Sequence, residues 1–154
     1  MAAANSSSIS GRSATLVYGH RLRSAKLPST ALEFACSRRV RFLGPVPDMA
    51  RYYAAADAFV LPTIYEPFSN ACLEARAAGL PVITTRYNGF AEIIEPGAEG
   101  EVLENPRDIS ALASAIENWR DPVRRELLRV ELQTHAAQFT IEENVRQTLA
   151  LITR

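Results

Sequence analysis

Short apolar runs alternate along this chain with stretches of helical periodicity, and a glycine or proline marks most of the changes. The run "ATLVY" (14–18) reads as a β-strand stopped by Gly19, and "STALEFACS" (29–37) offers Ser29 as the cap of a short helix. "VRFLG" (40–44) is the next strand, Asp48 caps a helix in "MARYYAAAD" (49–57), and "AFVLP" (58–62) is a third apolar run. Ser69 then caps a helix predicted through Ala78, which Gly79 ends. "LPVITT" (80–85) is a fourth strand; "RYNGF" turns into a short helix, "AEII" (91–94), and after a second turn, "EPGAEG", "EVLE" (101–104) is the last strand. Beyond it the pattern is helical. Asn105 before Pro106 and Asp121 before Pro122 each set a capping side chain ahead of a proline, and Thr140 with Glu143 forms a capping box. Helices are predicted over 107–119, 122–137 and 141–153.

Strands alternating with helices of this length predict parallel βαβ units with right-handed crossovers and a sheet covered on both faces. The fold class is therefore α/β, a Rossmann-like parallel sheet with flanking helices and further helices at the C-terminus. Ligands of such sheets collect beyond the carboxyl ends of the strands. The loop "TIYEPFSN" (63–70) follows "AFVLP" at such an end.

Composition narrows the choice only a little. At 154 residues, 47% of them apolar, the chain fits one domain, read as 14–154 behind a disordered tail at 1–13. A formal net charge of zero gives bulk electrostatics no bias toward nucleic acid or a membrane surface. Eight of the 17 Lys and Arg nevertheless fall in residues 1–51, against Glu33 and Asp48, a basic surface facing either solvent or an anion. Cys36 and Cys72 fit neither a zinc spacing nor a disulfide framework, and His20 and His135 lack ligand spacing, so no metal or other cofactor is expected. The opening "MAAANSSSIS" has no signal-peptide character and no apolar run approaches a membrane span, which reads as a cytoplasmic protein.

The chemistry concentrates in "YEPFSNACLEA" (65–75), which sets Glu66 and Glu74 eight positions apart. A glycosidase pair would need carboxyls roughly 5–9.5 Å apart across one bond. Eight helical steps span about 12 Å, which suits the two ends of one extended ligand better than a single bond. Between the acids lies a helix N-terminus at Ser69, Asn70 and Ala71, whose unpaired N–H groups and dipole favour a phosphate. Hydroxyls at both ends and phosphate between them is the layout of a nucleotide sugar. Glu66 as a turn residue and Glu74 as a solvated helix residue is the plainer alternative on spacing alone.

The block "YEPFSNACLEARAAGLPVITT", together with "VRFLG", "YYAAADAFVLP" and "NGFAEII", resembles the C-terminal half of glycosyltransferase family 4 enzymes of the GT-B fold. Pro62, Glu66, Pro67, Phe68 and Glu74 match that family's motif of two glutamates with seven residues between them, and the likeness runs from about Ala14 to the C-terminus. The variant is most similar to bacterial members that glucosylate the lipopolysaccharide core. The resemblance implies that Glu74 accepts hydrogen bonds from the two ribose hydroxyls and that Glu66 grips the hexose and serves catalysis. It further implies that the backbone of Phe68, Ser69, Asn70 and Ala71 meets the sugar and distal phosphate, and that Pro45 and Val46 lie against the base. The implied partners are a UDP-hexose and a glycan or lipid-linked acceptor, with no nucleic acid and with peripheral membrane association of the full enzyme. Transfer would retain the anomeric configuration, with the donor phosphate taking the acceptor proton and no metal required.

The chain also departs from that family. The acceptor-binding N-terminal domain is expected to lie outside this chain, as is the first βα unit of the donor half, where the family keeps an arginine and a Lys-Gly pair on the pyrophosphate. Each charge-assisted hydrogen bond lost there is worth about 1.5–3 kcal/mol, so weak donor binding and no transfer by the isolated chain are expected. His20, Arg21, Arg23 and Lys26 are candidates for a partial substitute. Ser69 and Asn88 stand where glycines are common, with an expected effect on the sugar contacts. Two alternatives stay open: a nucleotide-sugar-binding module that needs a partner subunit, and half of a GT-B sugar-nucleotide epimerase.

Overall fold

The computed structural model describes residues 2–4, 16–18, 40–43 and 46–153. Its central strands follow from runs that are apolar on both faces, β4 (Ala56–Leu61) and β5 (Val82–Thr85), the latter buried throughout. Beside β5 lies β6 (Gly100–Leu103), and on the far side of β4 come β1 (Ala2–Ala4), β2 (Leu16–Tyr18) and β3 (Val40–Phe42). The sheet order is β3-β2-β1-β4-β5-β6, that of a doubly wound sheet. The pairs β2–β3, β4–β5 and β5–β6 are parallel, as predicted.

The position of β1 differs from expectation. Within the segment read as a tail, Ala2–Ala4 pairs antiparallel with both β2 and β4. The sheet's central slot is thus filled in reverse, and the chain leaves β1 at the edge opposite the loops that follow β4 and β5. The short helix expected at Ser29 and the basic group His20, Arg21, Arg23 and Lys26 lie outside the described residues.

Helices cover both faces. One face packs Phe59 and Val82 against Tyr53 of α1 (Met49–Ala55), Cys72 and Ala75 of α2 (Asn70–Ala77), and Phe90 of a 3-10 turn (Gly89–Ile93). The other packs Val60, Ile83 and Leu103 against Ala115 of α3 (Ile109–Asn118) and against Trp119. Neighbouring residues of β4 and β5 thus serve opposite cores, each buried aliphatic or aromatic side chain contributing roughly 1.5–3 kcal/mol. The remaining helices are α4 (Pro122–Ala136) and α5 (Ile141–Ile152). Among the described residues no helix is long and apolar enough to cross a membrane.

Caps explain most boundaries, and three of the capping groups differ from expectation. Asp121 caps α4 as predicted, accepting from Val123 N at 2.9 Å. Asp48 makes no capping bond and pairs instead with Arg51 at 3.1 Å, both exposed. Asn105 accepts from Arg107 N in a turn, while Asp108, accepting from Ala111 N at 2.9 Å, starts α3 two residues later than expected. The capping box at Thr140 is formed by half: Thr140 Oγ1 accepts from Glu143 N at 3.1 Å. The Glu143 carboxylate turns to Arg146 first and Gln147 second, whose hydrogen bonds hold its pKa down to about 2.

Candidate functional site

The loop after β4 is fixed at its root by two buried threonines of β5. Thr84 Oγ1 donates to Leu61 O at 2.8 Å and Thr85 Oγ1 to Thr63 O at 2.5 Å, so side chains continue the ladder where β4 ends. Thr63 Oγ1 then closes a turn by accepting from Tyr65 N at 3.3 Å. Further on, the backbone of Glu66 is strapped from both sides: Glu66 N donates to Tyr87 O at 3.0 Å, and Glu66 O accepts from Gly89 N at 2.9 Å. These bonds make Glu66 and Asn88 an isolated parallel bridge. A Cβ on Gly89 would sit 1.9 Å from Pro67 O, so only glycine lets the two loops approach this closely. Glu66 is half-buried, Phe68 is 41% exposed, and the Phe68 ring meets Phe90 edge-on with centroids 5.8 Å apart.

Ser69 is buried and caps α2, its Oγ accepting from Cys72 N at 3.3 Å. That bond serves the third helical N–H. Among the described residues the N–H groups of Asn70 and Ala71 have no acceptor, which leaves an open N-terminus beside Glu66. At the other end, Gly79 at φ +82 closes α2 with Gly79 N on Arg76 O (2.8 Å) and Leu80 N on Ala75 O (3.0 Å), the Schellman pattern. Glu74 is exposed one turn into the helix. Tyr53 of α1, itself buried, donates to Glu74 Oε2 at 3.2 Å. Burial, and after it the adjacent Glu74 charge, raises the Tyr53 phenol well above its ordinary range, so it remains a donor at all working pH values.

Only the step from Asn70 to Glu74 is helical, a rise of about 6 Å, so the all-helix span of 12 Å does not describe the two acids. The strapped loop makes up the rest. Asn88 also differs from expectation. Its side chain is 1% exposed and turns inward, donating to Thr84 Oγ1 at 3.0 Å and Cys72 Sγ at 3.4 Å and accepting from Phe90 N. It therefore presents only its backbone to the loop. Burial pushes the Cys72 thiol pKa up, which keeps it protonated and structural. Of the base-contact candidates, Pro45 lies outside the described residues and Val46 is half-buried just before α1. Among the described residues no cluster could hold a metal ion.

With this geometry in hand, similarity to known proteins decides the family. Residues 7–121 match the family described as glycosyl transferases group 1, well over half of the chain. The chain belongs to the group 1 glycosyl transferases. A D-inositol 3-phosphate glycosyltransferase of Corynebacterium urealyticum is 34% identical over 128 residues, covering 81% of this chain and 30% of that protein. Two solved GT-B glycosyltransferases share the fold. WaaG, involved in lipopolysaccharide biosynthesis, has a TM-score of 0.74 at 24% identity, over 82% of this chain and 35% of WaaG. Anabaena Alr3699/HepE, solved in complex with UDP-glucose, has a TM-score of 0.71 at 22% identity, over 88% of this chain and 40% of that one. This group 1 glycosyl transferase chain thus spans about a third of the length of the relatives it matches.

Two features of this chain were not foreseen. Tyr53 is buried in the core, and its hydroxyl reaches across 21 positions to Glu74. Arg76 is 3% exposed and joins Glu99 at 2.6 Å and Ile93 O at 2.8 Å. Glu99 in turn accepts from Glu95 N at 3.1 Å and contacts His135 Nδ1 on α4. A carboxylate only accepts, so the Nδ1 proton points at Glu99 and the nearby Arg76 guanidinium is a neighbour of that nitrogen, not its donor. Burial raises the Glu99 pKa, but the bonds from His135, Glu95 N and Arg76 outweigh it, and the net shift is downward. A cavity of about 790 Å³ opens on the other shoulder of α2, lined by Phe68, Asn70 and Leu73 and by Gln138, Phe139 and Asn144. It shares Phe68 and Asn70 with the start of α2, while neither Glu66 nor Glu74 lines it.

Proposed function

We propose that this chain is the donor-binding half of a retaining glycosyltransferase of family 4, working in the cytoplasm on a nucleotide diphosphate sugar, read as a UDP-hexose. In this reading Glu74 accepts from the ribose hydroxyls, because a carboxylate offers two acceptor oxygens to a diol. The N–H groups at the start of α2 meet the distal phosphate and stabilise the charge that grows on it as the bond to the hexose breaks. Glu66 grips the hexose hydroxyls. The acceptor oxygen attacks from the face the phosphate leaves, its proton passes to that phosphate, and no metal ion is called for. The acceptor, a glycan or lipid-linked glycan such as a lipopolysaccharide core, is held by a separate N-terminal domain of an enzyme that rests peripherally on the membrane.

The observation that carries the reading is the joint presentation of a strapped Glu66, two open N–H groups at Asn70 and Ala71, and a Glu74 held by Tyr53. The UDP-glucose bound by Alr3699/HepE supports the donor class. Titrating UDP, ADP and GDP into the chain by NMR or calorimetry tests it. Weak binding that favours UDP, no transfer by the chain alone, and a lowered UDP affinity in Glu74→Ala are expected. Unchanged UDP affinity in Glu74→Ala rejects the ribose role. Glu66→Ala is expected to erase any preference for UDP-glucose over UDP, and a preserved preference rejects the sugar role.

A further inference from the structure

Between α1 and α2 lies a contact whose consequence for selectivity goes beyond the donor reading. Tyr53 is 5% exposed, its ring held edge-on by Phe59 with centroids 5.9 Å apart and planes at 69°. Its single hydroxyl proton has two acceptors in range, Glu74 Oε2 at 3.2 Å and Ala71 O at 3.4 Å. Ala71 O sits inside the helical ladder, whereas Glu74 offers a charged oxygen at the shorter distance, so the proton goes to Glu74. Glu74 is otherwise an exposed, three-torsion side chain free to sample many rotamers. A rigid donor that occupies one oxygen on one side selects among them and leaves Oε1 and the remaining lone pairs of Oε2 open.

We propose that Tyr53 is a positioning residue for nucleotide selection: it fixes the Glu74 carboxylate in the rotamer that meets a vicinal diol, and so sets the preference for a ribonucleotide over its 2′-deoxy form. The inference rests on the ribose role of Glu74 and deepens it. The hydroxyl does not touch the ligand; it acts through Glu74. Pre-organisation of this kind raises affinity by removing the ordering cost of the side chain at binding. It affects only ligands that use both carboxylate contacts.

The test is an NMR titration of the 15N-labelled chain, which reads millimolar affinities, with UDP and 2′-deoxy-UDP against wild type, Tyr53→Phe, Glu74→Ala and Phe59→Leu. Tyr53→Phe is expected to weaken UDP binding about three- to tenfold, the size of one hydrogen bond, with 2′-deoxy-UDP binding unchanged. Glu74→Ala removes the discrimination altogether, and Phe59→Leu, which disturbs packing and keeps the hydroxyl, lowers stability with discrimination retained. If wild type fails to discriminate, or Glu74→Ala discriminates as wild type does, the ribose role itself is overturned. If Glu74→Ala loses discrimination while Tyr53→Phe keeps it, or Tyr53→Phe weakens both nucleotides equally, the positioning role alone is overturned. A slowly exchanging Tyr53 hydroxyl proton with a nuclear Overhauser contact to the Glu74 γ-methylene is expected in the wild type. Its absence overturns the inference even where the phenylalanine variant does not fold.

Discussion

Replacing Gly89 with alanine asks whether the strap on Glu66 is what aims it. A Cβ there would lie 1.9 Å from Pro67 O, and carbon–oxygen contacts settle near about 3.3 Å, so the loops must part by about 1.4 Å. Both straps then stretch. Gly89 N to Glu66 O at 2.9 Å and Glu66 N to Tyr87 O at 3.0 Å pass beyond hydrogen-bonding range. Each is worth about 0.5–1.5 kcal/mol net, together about 1–3 kcal/mol, or roughly 2–12 °C in melting temperature for a chain of this size. The functional consequence is of similar size in free energy, because a group misplaced by about 1 Å can lose on the order of a hundredfold in effect, about 2.7 kcal/mol. Gly89→Ala should therefore bind UDP nearly as wild type does, through Glu74, and lose its preference for UDP-glucose. Gly97→Ala is the control. Gly97 sits at φ +79 with open space around it, so alanine there costs about 1–2 kcal/mol of backbone strain far from the straps. Thermal melts and paired titrations of the two variants decide the matter: equal retention of UDP-glucose preference in both would refute the argument that the strap aims Glu66.

Two further outcomes follow from the supports of α2. Ser69→Ala should lose about 1 kcal/mol by removing the acceptor for Cys72 N, and Ser69→Gly only a few tenths, so the melting temperatures should rank wild type, Gly, Ala; the reverse order counts against the cap. Glu99 has its pKa lowered in the fold, so its contribution to stability is complete above the unfolded carboxylate value of about 4.3 and fades as pH falls through the folded value. Urea unfolding of wild type at pH 7, 5, 4 and 3 should show that acid loss, and Glu99→Gln, less stable at pH 7, should show a shallower one; parallel profiles would mean that the acid sensitivity lies elsewhere.

The strands were legible because burial on both faces leaves a mark in composition: "AFVLP" and "LPVITT" have no polar alternation to hide. Ser69 and Gly79 were legible because caps act within four residues. Asp48 and Asn105 misled for the same reason, since a capping residue type says nothing of which nearby donor it will meet; Asp48 pairs with Arg51 and Asn105 serves a turn. The placement of Glu66 and Glu74 near one helix start was visible in their spacing. What holds them was not. Tyr53 meets Glu74 across 21 positions and Arg76 meets Glu99 across 23, distances at which no local period connects one residue to another. Asn88 stands where a glycine is common, which gave an expected effect on the sugar contacts; the fold turns its amide into the core, where Thr84 and Cys72 satisfy it. The reversed β1 was hidden for a different reason, as three alanines carry almost no pattern.

The Arg76–Glu99–His135 group ties α2 to the turn before β6 and to α4. To tilt, α2 must pull a guanidinium 4% exposed away from a carboxylate 5% exposed, and breaking a buried pair by one partner costs about 3–5 kcal/mol. The loops on either side of Glu66 are joined to each other by two backbone bonds, and Tyr65 and Tyr87 on them are largely exposed. α2 is therefore an anvil: a load on its exposed start is carried through a buried ion pair toward α4, and the two loops beside it, tied to each other, bear on it as one body.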